Sequence, residues 1–328
     1  MSQFIVHAQA HDSLPQGAQR HLLASTGPTS STSASELVPQ EIYDGGYSDA
    51  QDIRLRLANG GAGQSGLIGA FANAFIQDQV AKGAEPFKAA WYLGDTTQSL
   101  QYLAAKYVDV AFTYNEAAEL ASMDSGAAVQ RELVFLDHFM LVGPTSNPAE
   151  LSADNDSTSS MFNKIVASGN ADVALPPDES VRPPTRFLSR YDKSATNIKE
   201  SEQFIAIGQV PWALAYSSWY HQYPRFPLQA LYAASVLSEY TLTDRGTWLS
   251  SADNVIGELT VFKIGSDENP ELYNPCNALL SVEPLDADLS KTFMDWLVDV
   301  DGGQKVVREF EKNGEVLYTP AITSTAAK

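Results

Sequence analysis

From Ile53 onward the chain repeats one local pattern: a short apolar run, a turn rich in Gly, Ser, Thr or Asn, then a segment of helical period. Ile53, Leu55 and Leu57 alternate with Arg54 and Arg56, a period of two that predicts a strand. ANGGAG follows, and then SGLIGAFANAFIQDQVAK, in which Leu67, Ile68, Phe71 and Phe75 recur at helical spacing. AAWYL precedes the helical DTTQSLQYLAAKY, and YVDVAFT, with Val108, Val110 and Phe112 as its strand residues, precedes NEAAELASM. Strands alternating with helices predict an α/β protein built on mostly parallel sheet. Such sheets bind ligands beyond the carboxyl ends of their strands, where the turns into helices expose N–H groups. Four turns have that composition: ANGGAGQS, GDTTQS, FTYNEA and SRYDKSATN. Together they point to an anionic or strongly polar small ligand.

The remainder of the chain continues the pattern. ELVFLDHFMLVGP (132–144) reads as a strand pair or one bent strand closed by Gly-Pro. A polar loop, a helical MFNKIVASG and the Pro-rich connector LPPDESVRPP lead to FLSRYDKSATNIKE (187–200). NVIGELTVFKIG and NALLSVEP read as strands, and DLSKTFMDWLVDV and QKVVREFEKNG as helices. Residues 1–51 look different. They carry the low-complexity tract STGPTSSTSASE and the turn-rich DGGYSDAQ, and read as an N-terminal arm in which residues 5–9 dock weakly.

Composition narrows the function. A 44% hydrophobic content supplies a core, and the net charge of -19 argues against nucleic acid or an anionic membrane surface as partner. It leaves room for a small buried anion, because charges beyond a Debye length of about 8 Å are largely screened. The single cysteine, Cys276, forms no intramolecular disulfide and reads as a packing thiol. No apolar run approaches the roughly 18 residues of a membrane span. The N-terminus lacks a basic and apolar leader, so the chain as written reads as cytoplasmic, and a monomer is expected.

Each candidate has a functional and a structural reading. Asn59, Gly60, Gly61 and Ser65 belong to a loop whose glycines make either an anion-binding backbone nest or a tight turn; no nucleotide P-loop or dinucleotide fingerprint is present. Thr96 and Thr97 offer hydroxyls to a ligand or to helix capping. Arg190 could grip an oxyanion with paired donors, with Ser194 and Thr196 supplying hydroxyls at a helix start, or it could pair with Asp192. Asn197 and Glu200 have capping-box spacing. Arg245, in TLTDRGTW, either reaches a ligand or fixes its loop, and WYHQYPRF (219–226) packs or lines a cleft. The five histidines show no metal-ligand spacing, and there is no GxSxG elbow.

EYTLTDRGTWL, LSRYDKSATNIKE, DHFMLVGPTSNPAE, ELYNPCNALLSVEP and FEKNGEVLYTP, in this order, resemble the tungstate-binding proteins of bacterial ABC importers. These belong to the periplasmic-binding-protein-like superfamily, type II. The resemblance runs from about residue 52 to about 322. It implies two α/β lobes hinged around a cleft, the first from 52–143 and 265–328, the second from 144–264. By the same resemblance a small oxyanion such as tungstate or molybdate lies between ANGGAGQS and DTTQS on one lobe and the Ser189-Arg190 segment on the other. Arg190 would be the leading ligand, followed by Ser194 and Thr196. No cofactor or metal is implied, a bound anion being the ligand itself, and an ABC permease is the partner if the chain is exported. Two departures stand out. The first loop reads ANGGAG where the family is rich in Thr and Ser, and Tyr191 stands where the family has glycine after the arginine. The alternative readings are an enzyme using His138, Tyr114 and Glu116 in the cleft, or a sensing or interaction protein, with binding preferred to catalysis.

Overall fold

The structure, a computed structural model, describes residues 37–215 and 217–321. Residues 5–9 and the Ser/Thr tract lie outside the described residues. The segment read as an arm is part of the fold from Leu37 onward. β1 (Glu41–Tyr43) pairs antiparallel with the Ala89–Trp91 stretch and forms the edge of the sheet.

The first lobe then follows the predicted alternation: β2 (Ile53–Asn59), α1 (Gly61–Ser65), α2 (Leu67–Ala81), β3 (Lys88–Leu93), α3 (Thr96–Ala104), β4 (Val110–Thr113) and α4 (Glu116–Asp124). β5 (Ala128–Pro144) is one 17-residue strand, not a pair, and it passes from the first lobe into the second. There follow α5 (Thr158–Ala174), β6 (Phe187–Ser189), α6 (Ala195–Ala206), β7 (Tyr220–Gln222), α7 (Pro227–Leu237), β8 (Tyr240–Asp244), α8 (Arg245–Ser250), α9 (Asp253–Ile256) and β9 (Leu259–Ile264). The stretch NVIGELTVFKIG therefore begins as the end of a helix, and only Leu259–Ile264 within it is strand. β10 (Tyr273–Ser281) returns to the first lobe, which ends in α10 (Ala287–Leu297), α11 (Gly303–Glu309), β11 (Glu311–Lys312), β12 (Glu315–Val316) and β13 (Thr319–Pro320).

Each lobe has its own core. In the first, Phe71, Phe75 and Phe112 pack with Phe293 and Trp296, so chain ends far apart in sequence close one core. In the second, Phe162, Phe187, Phe204 and Trp219 interlock edge to face and at tilted angles. WYHQYPRF divides accordingly: Trp219 and Tyr220 are core, while Arg225 and Phe226 are exposed.

Strand direction creates the cleft. β2 and β3 run parallel, as do β2 and β4, while β10 is antiparallel to both β4 and β5. β4 and β5 therefore point the same way, toward the second lobe. β8 is antiparallel to β5, and β6 and β7 run parallel with β8, so their ends point back. The last residue of β4, Thr113, lies level with Asn277 and hence with Leu133; the last of β8, Asp244, lies opposite Phe139. Six residue steps along β5 separate these levels, about 20 Å at roughly 3.3 Å per step. The turns at the strand ends of both lobes thus open toward one another above residues 134–138.

Candidate functional site

The turns of the first lobe are largely closed upon themselves. Asn59 is fully buried; its amide donates to the Phe112 carbonyl at 2.9 Å and its carbonyl accepts from the Gly63 N–H at 2.8 Å. Its side chain ties β2 to β4, with its oxygen and its nitrogen both bonded within the lobe. Gly63 is a packing glycine, since a Cβ there would fall 2.2 Å from the Trp91 ring. Gly60 is half-buried and Gly61 exposed, so these two N–H groups are the open part of the loop. Ser65 Oγ bonds the Ala62 carbonyl and the Tyr318 hydroxyl, both at 2.9 Å. Asp95, not a threonine, caps α3, in a reciprocal box with Gln98. Thr96 Oγ1 instead accepts from the Tyr114 N–H at 3.4 Å, joining two cleft turns, and Thr97 is exposed.

The turn after β6 gathers the strongest groups. Arg190 is 8% exposed. Its Nη2 donates to Asp192 Oδ2 at 2.5 Å and its Nε to the Arg225 carbonyl at 3.2 Å. Asp192 Oδ1 accepts from the Ser194 N–H at 3.0 Å. A carboxylate therefore already bridges the guanidinium and the start of α6, the two groups the sequence offers to an anion. Ser194 is the N-cap, accepting from the Asn197 N–H, and Thr196 is buried just inside the helix. Asn197 and Glu200 do not form the capping box their spacing suggests. They bond to each other, Nδ2 to Oε1 at 2.7 Å, and Ser189 Oγ donates to the same Oε1. Burial pushes the Glu200 carboxyl up to about 8, against the hydrogen bonds of Ser189 and Asn197, which lower it.

Tyr191 adopts φ +44 and Lys193 φ +65. The position where the resemblance puts glycine is thus left-handed backbone, which costs a residue with a Cβ about 1–2 kcal/mol. The Tyr191 ring is 44% exposed and meets Tyr220 edge to face at 6.5 Å. Tyr191→Gly is expected to stabilise the chain by about 1 kcal/mol in denaturant unfolding. Equal or lower stability of the variant would mean that the ring contact outweighs the backbone strain.

At the crossover, Asp137 is buried, and desolvation together with the nearby Asp244 carboxylate pushes its acid group well above the usual range. His138 Nδ1 lies 2.7 Å from the Gly265 carbonyl, which only accepts, so that nitrogen carries the proton. Nε2 accepts from Thr319 Oγ1 at 3.0 Å, and burial lowers the ring's affinity for a second proton. Glu116 pairs with Arg131 on the outside of α4. Among the described residues no hydrogen bond or ion pair joins His138, Tyr114 and Glu116 to one another. Asp244 caps α8, and Arg245 pairs with Glu315 of the first lobe at 3.0 Å, beside an Asn313-to-Leu249 bond. Arg245 therefore joins the two lobes. Cys276 is buried on β10, which raises its thiol. Among the described residues, no group of three or more His, Cys, Asp or Glu could hold a metal.

The pairing of Arg190 with Asp192 is the structural alternative the sequence offered, although Arg190 is buried and not at the surface. Local spacing gave no signal for the convergence of Ser189 and Asn197 on Glu200.

A crystal structure described as a periplasmic protein with a proposed metal-binding role is 46% identical, covers 87% of this chain and all of its own, and superposes with a TM-score of 0.78. A tungstate-binding protein from Peptoclostridium acidaminophilum is 28% identical over 227 residues, 69% of this chain and 72% of that one. A Haloferax volcanii protein assigned as an ABC transporter anion-binding protein is 27% identical over 221 residues, 66% of this chain. That match spans 58% of the Haloferax protein's length. The cytoplasmic expectation finds no support among these relatives, the first being periplasmic. No helix among the described residues is long and apolar enough to cross a membrane. The family model of the PBP superfamily domain matches residues 24–301, and with two lobes facing across one crossover the chain belongs to that periplasmic-binding-protein superfamily.

Proposed function

We propose that this chain is the solute-binding component of an ABC importer for a small oxyanion of the tungstate and molybdate class, held between the lobes beside Arg190. The observation that carries the reading is the Asp192 carboxylate, seated on both the Arg190 guanidinium and the Ser194 N–H. It marks the cradle as complementary to an oxyanion, and it is a built-in competitor that the ligand displaces. Arg190 with Ser194 and Thr196 would bind from the second lobe, and Thr97, Gly60 and Gly61 from the first. Closure would exclude water and strengthen each charge-assisted hydrogen bond. The permease partner and an exported location follow from the same reading.

A thermal-shift and calorimetric panel of tungstate, molybdate, sulfate, phosphate and simple carboxylates tests it. A ligand at about 100 times its Kd stabilises by roughly 2.7 kcal/mol. No shift with any of them overturns the reading. Asp192→Asn keeps an acceptor for the Ser194 N–H but removes the competing charge, and is expected to tighten oxyanion binding about tenfold, since hydrogen bonds to charged groups are worth about 1.5–3 kcal/mol. Weaker binding by Asp192→Asn would show that the carboxylate assists the ligand.

A further inference from the structure

The turn of residues 190–194 contains two left-handed, non-glycine residues, and each has its N–H held by a side chain. The Tyr191 N–H donates to Ser189 Oγ at 3.1 Å, and the Lys193 N–H to Asn197 Oδ1 at 3.1 Å. Those two side chains come from different elements, β6 and α6. Both then donate to one atom, Glu200 Oε1, from Ser189 Oγ and from Asn197 Nδ2. Glu200 is fully buried, one turn into α6, and hydrogen-bonds none of Arg190, Ser194 and Thr196.

We propose that Glu200 is the positioning residue of the anion loop: its Oε1 gathers the two side chains that fix the strained backbone of Tyr191 and Lys193, and through them the direction of Arg190. The inference rests on the oxyanion reading for its ligand arm alone. Without this anchor Ser189 and Asn197 lose the acceptor that orients both of them, their hold on the two N–H groups weakens, and the turn relaxes toward ordinary backbone. Arg190 would then lose the direction in which Asp192 and the Arg225 carbonyl hold it. The chemistry of the carboxyl agrees with the role. Oε1 accepts two hydrogen bonds, whereas Oε2 is buried with no partner among the described residues, so Oε1 alone ties the turn to α6. The groups around it are Ser189 on β6, Arg190 and Asp192 in the turn, Asn197 on its own helix and the Tyr220 hydroxyl on β7. A glutamine at 200 reproduces the accepting oxygen, and an alanine does not.

The test is residue-resolved amide exchange on the full chain without ligand, with tungstate titration as a second arm. Glu200→Ala is expected to speed exchange at Tyr191 and Lys193 at least tenfold while the amides of β2 in the other lobe keep their protection. Glu200→Gln should restore both. Ser189→Ala should release Tyr191 alone and Asn197→Ala should release Lys193 alone; this pair decides the matter if Glu200→Ala does not fold. Unchanged exchange at both residues in Glu200→Ala, or a Glu200→Gln chain that behaves like the alanine variant, overturns the proposal. So does failure of the two single variants to separate the two amides. In the ligand arm, tungstate affinity should fall at least tenfold in Glu200→Ala and return in Glu200→Gln. A wild-type chain that ignores tungstate defeats the oxyanion reading, and the exchange pattern still decides the role of Glu200.

Discussion

Arg190→Ala is expected to weaken tungstate binding by two to three powers of ten, as measured by calorimetry at fixed ionic strength. The side chain is nearly buried, and its guanidinium already holds a carboxylate through Nη2 while Nε anchors it to the Arg225 carbonyl. An oxyanion taking the place of that carboxylate would form charge-assisted hydrogen bonds, each worth about 1.5–3 kcal/mol; two of them amount to roughly a hundredfold or more. The alanine variant also leaves Asp192 uncompensated at the mouth of the cradle, where it repels the ligand. Arg190→Ala/Asp192→Asn should therefore recover about tenfold of the loss, the same increment that charge competition represents. Arg190→Lys should fall between, because an ammonium cannot match the planar fork. Arg245→Ala is the contrast. Arg245 meets Glu315 across the lobes, so its loss should alter affinity by less than about tenfold, as expected for a partly exposed pair. Equal effects at Arg190 and Arg245 would place the ligand elsewhere in the cleft.

Glu200→Gln is expected to make the chain more stable at neutral pH and no more stable at pH 4. Burial raises the carboxyl from 4.5 to about 8 in the folded protein, while in the unfolded chain it ionises near 4.5. Below 4.5 the acid is protonated in both states and contributes no difference. Between 4.5 and 8 the folded state holds a proton that the unfolded state releases, so stability falls by about 1.4 kcal/mol per pH unit. Above 8 both states are ionised and the loss stays constant. A glutamine cannot ionise, keeps the acceptor for Ser189 and Asn197, and should be more stable by about 3 kcal/mol at pH 7. Urea unfolding of both chains from pH 4 to 9 checks this, the difference opening above pH 4.5 and levelling near 8. A difference independent of pH would mean that glutamine acts through packing alone. The neighbouring charges work in opposite senses, Asp192 raising the carboxyl and Arg190 lowering it, so Asp192→Asn should narrow the pH window from its upper end.

Much of the fold was readable before any coordinates. The alternation of Ile53, Leu55 and Leu57, and the helical spacing of Leu67, Phe71 and Phe75, reflect burial of one face of an element, which the chain carries locally. A helix start within SRYDKSATN was also legible, because capping involves residues three or four apart, but the cap falls on Ser194, which accepts from the Asn197 N–H. The same locality misled at Asn197 and Glu200. Their spacing suits a cap, but β6 lies close enough to draw both into a bond with Ser189. Nor did the sequence separate β5 into one strand or two, since that depends on where β10 and β8 pair along it.

The sequence by itself determined that strands feed helices through polar, glycine-rich turns, that the chain can bury a core, and that Arg190 lies in such a turn. It could not decide whether that arginine was free. Only the tertiary structure showed Asp192 seated on it, Arg225 fixing its Nε from 35 residues away, and Asn59 turned inward to the Phe112 carbonyl. It alone set the lobes facing one another, through the antiparallel pairing of β10 with β4 and β5 and of β8 with β5. The physical reason is range. Propensity, periodicity and capping act over a few residues and are written into them, whereas hydrogen-bond competition for a buried arginine is settled by whichever groups the folded sheet brings within 3 Å.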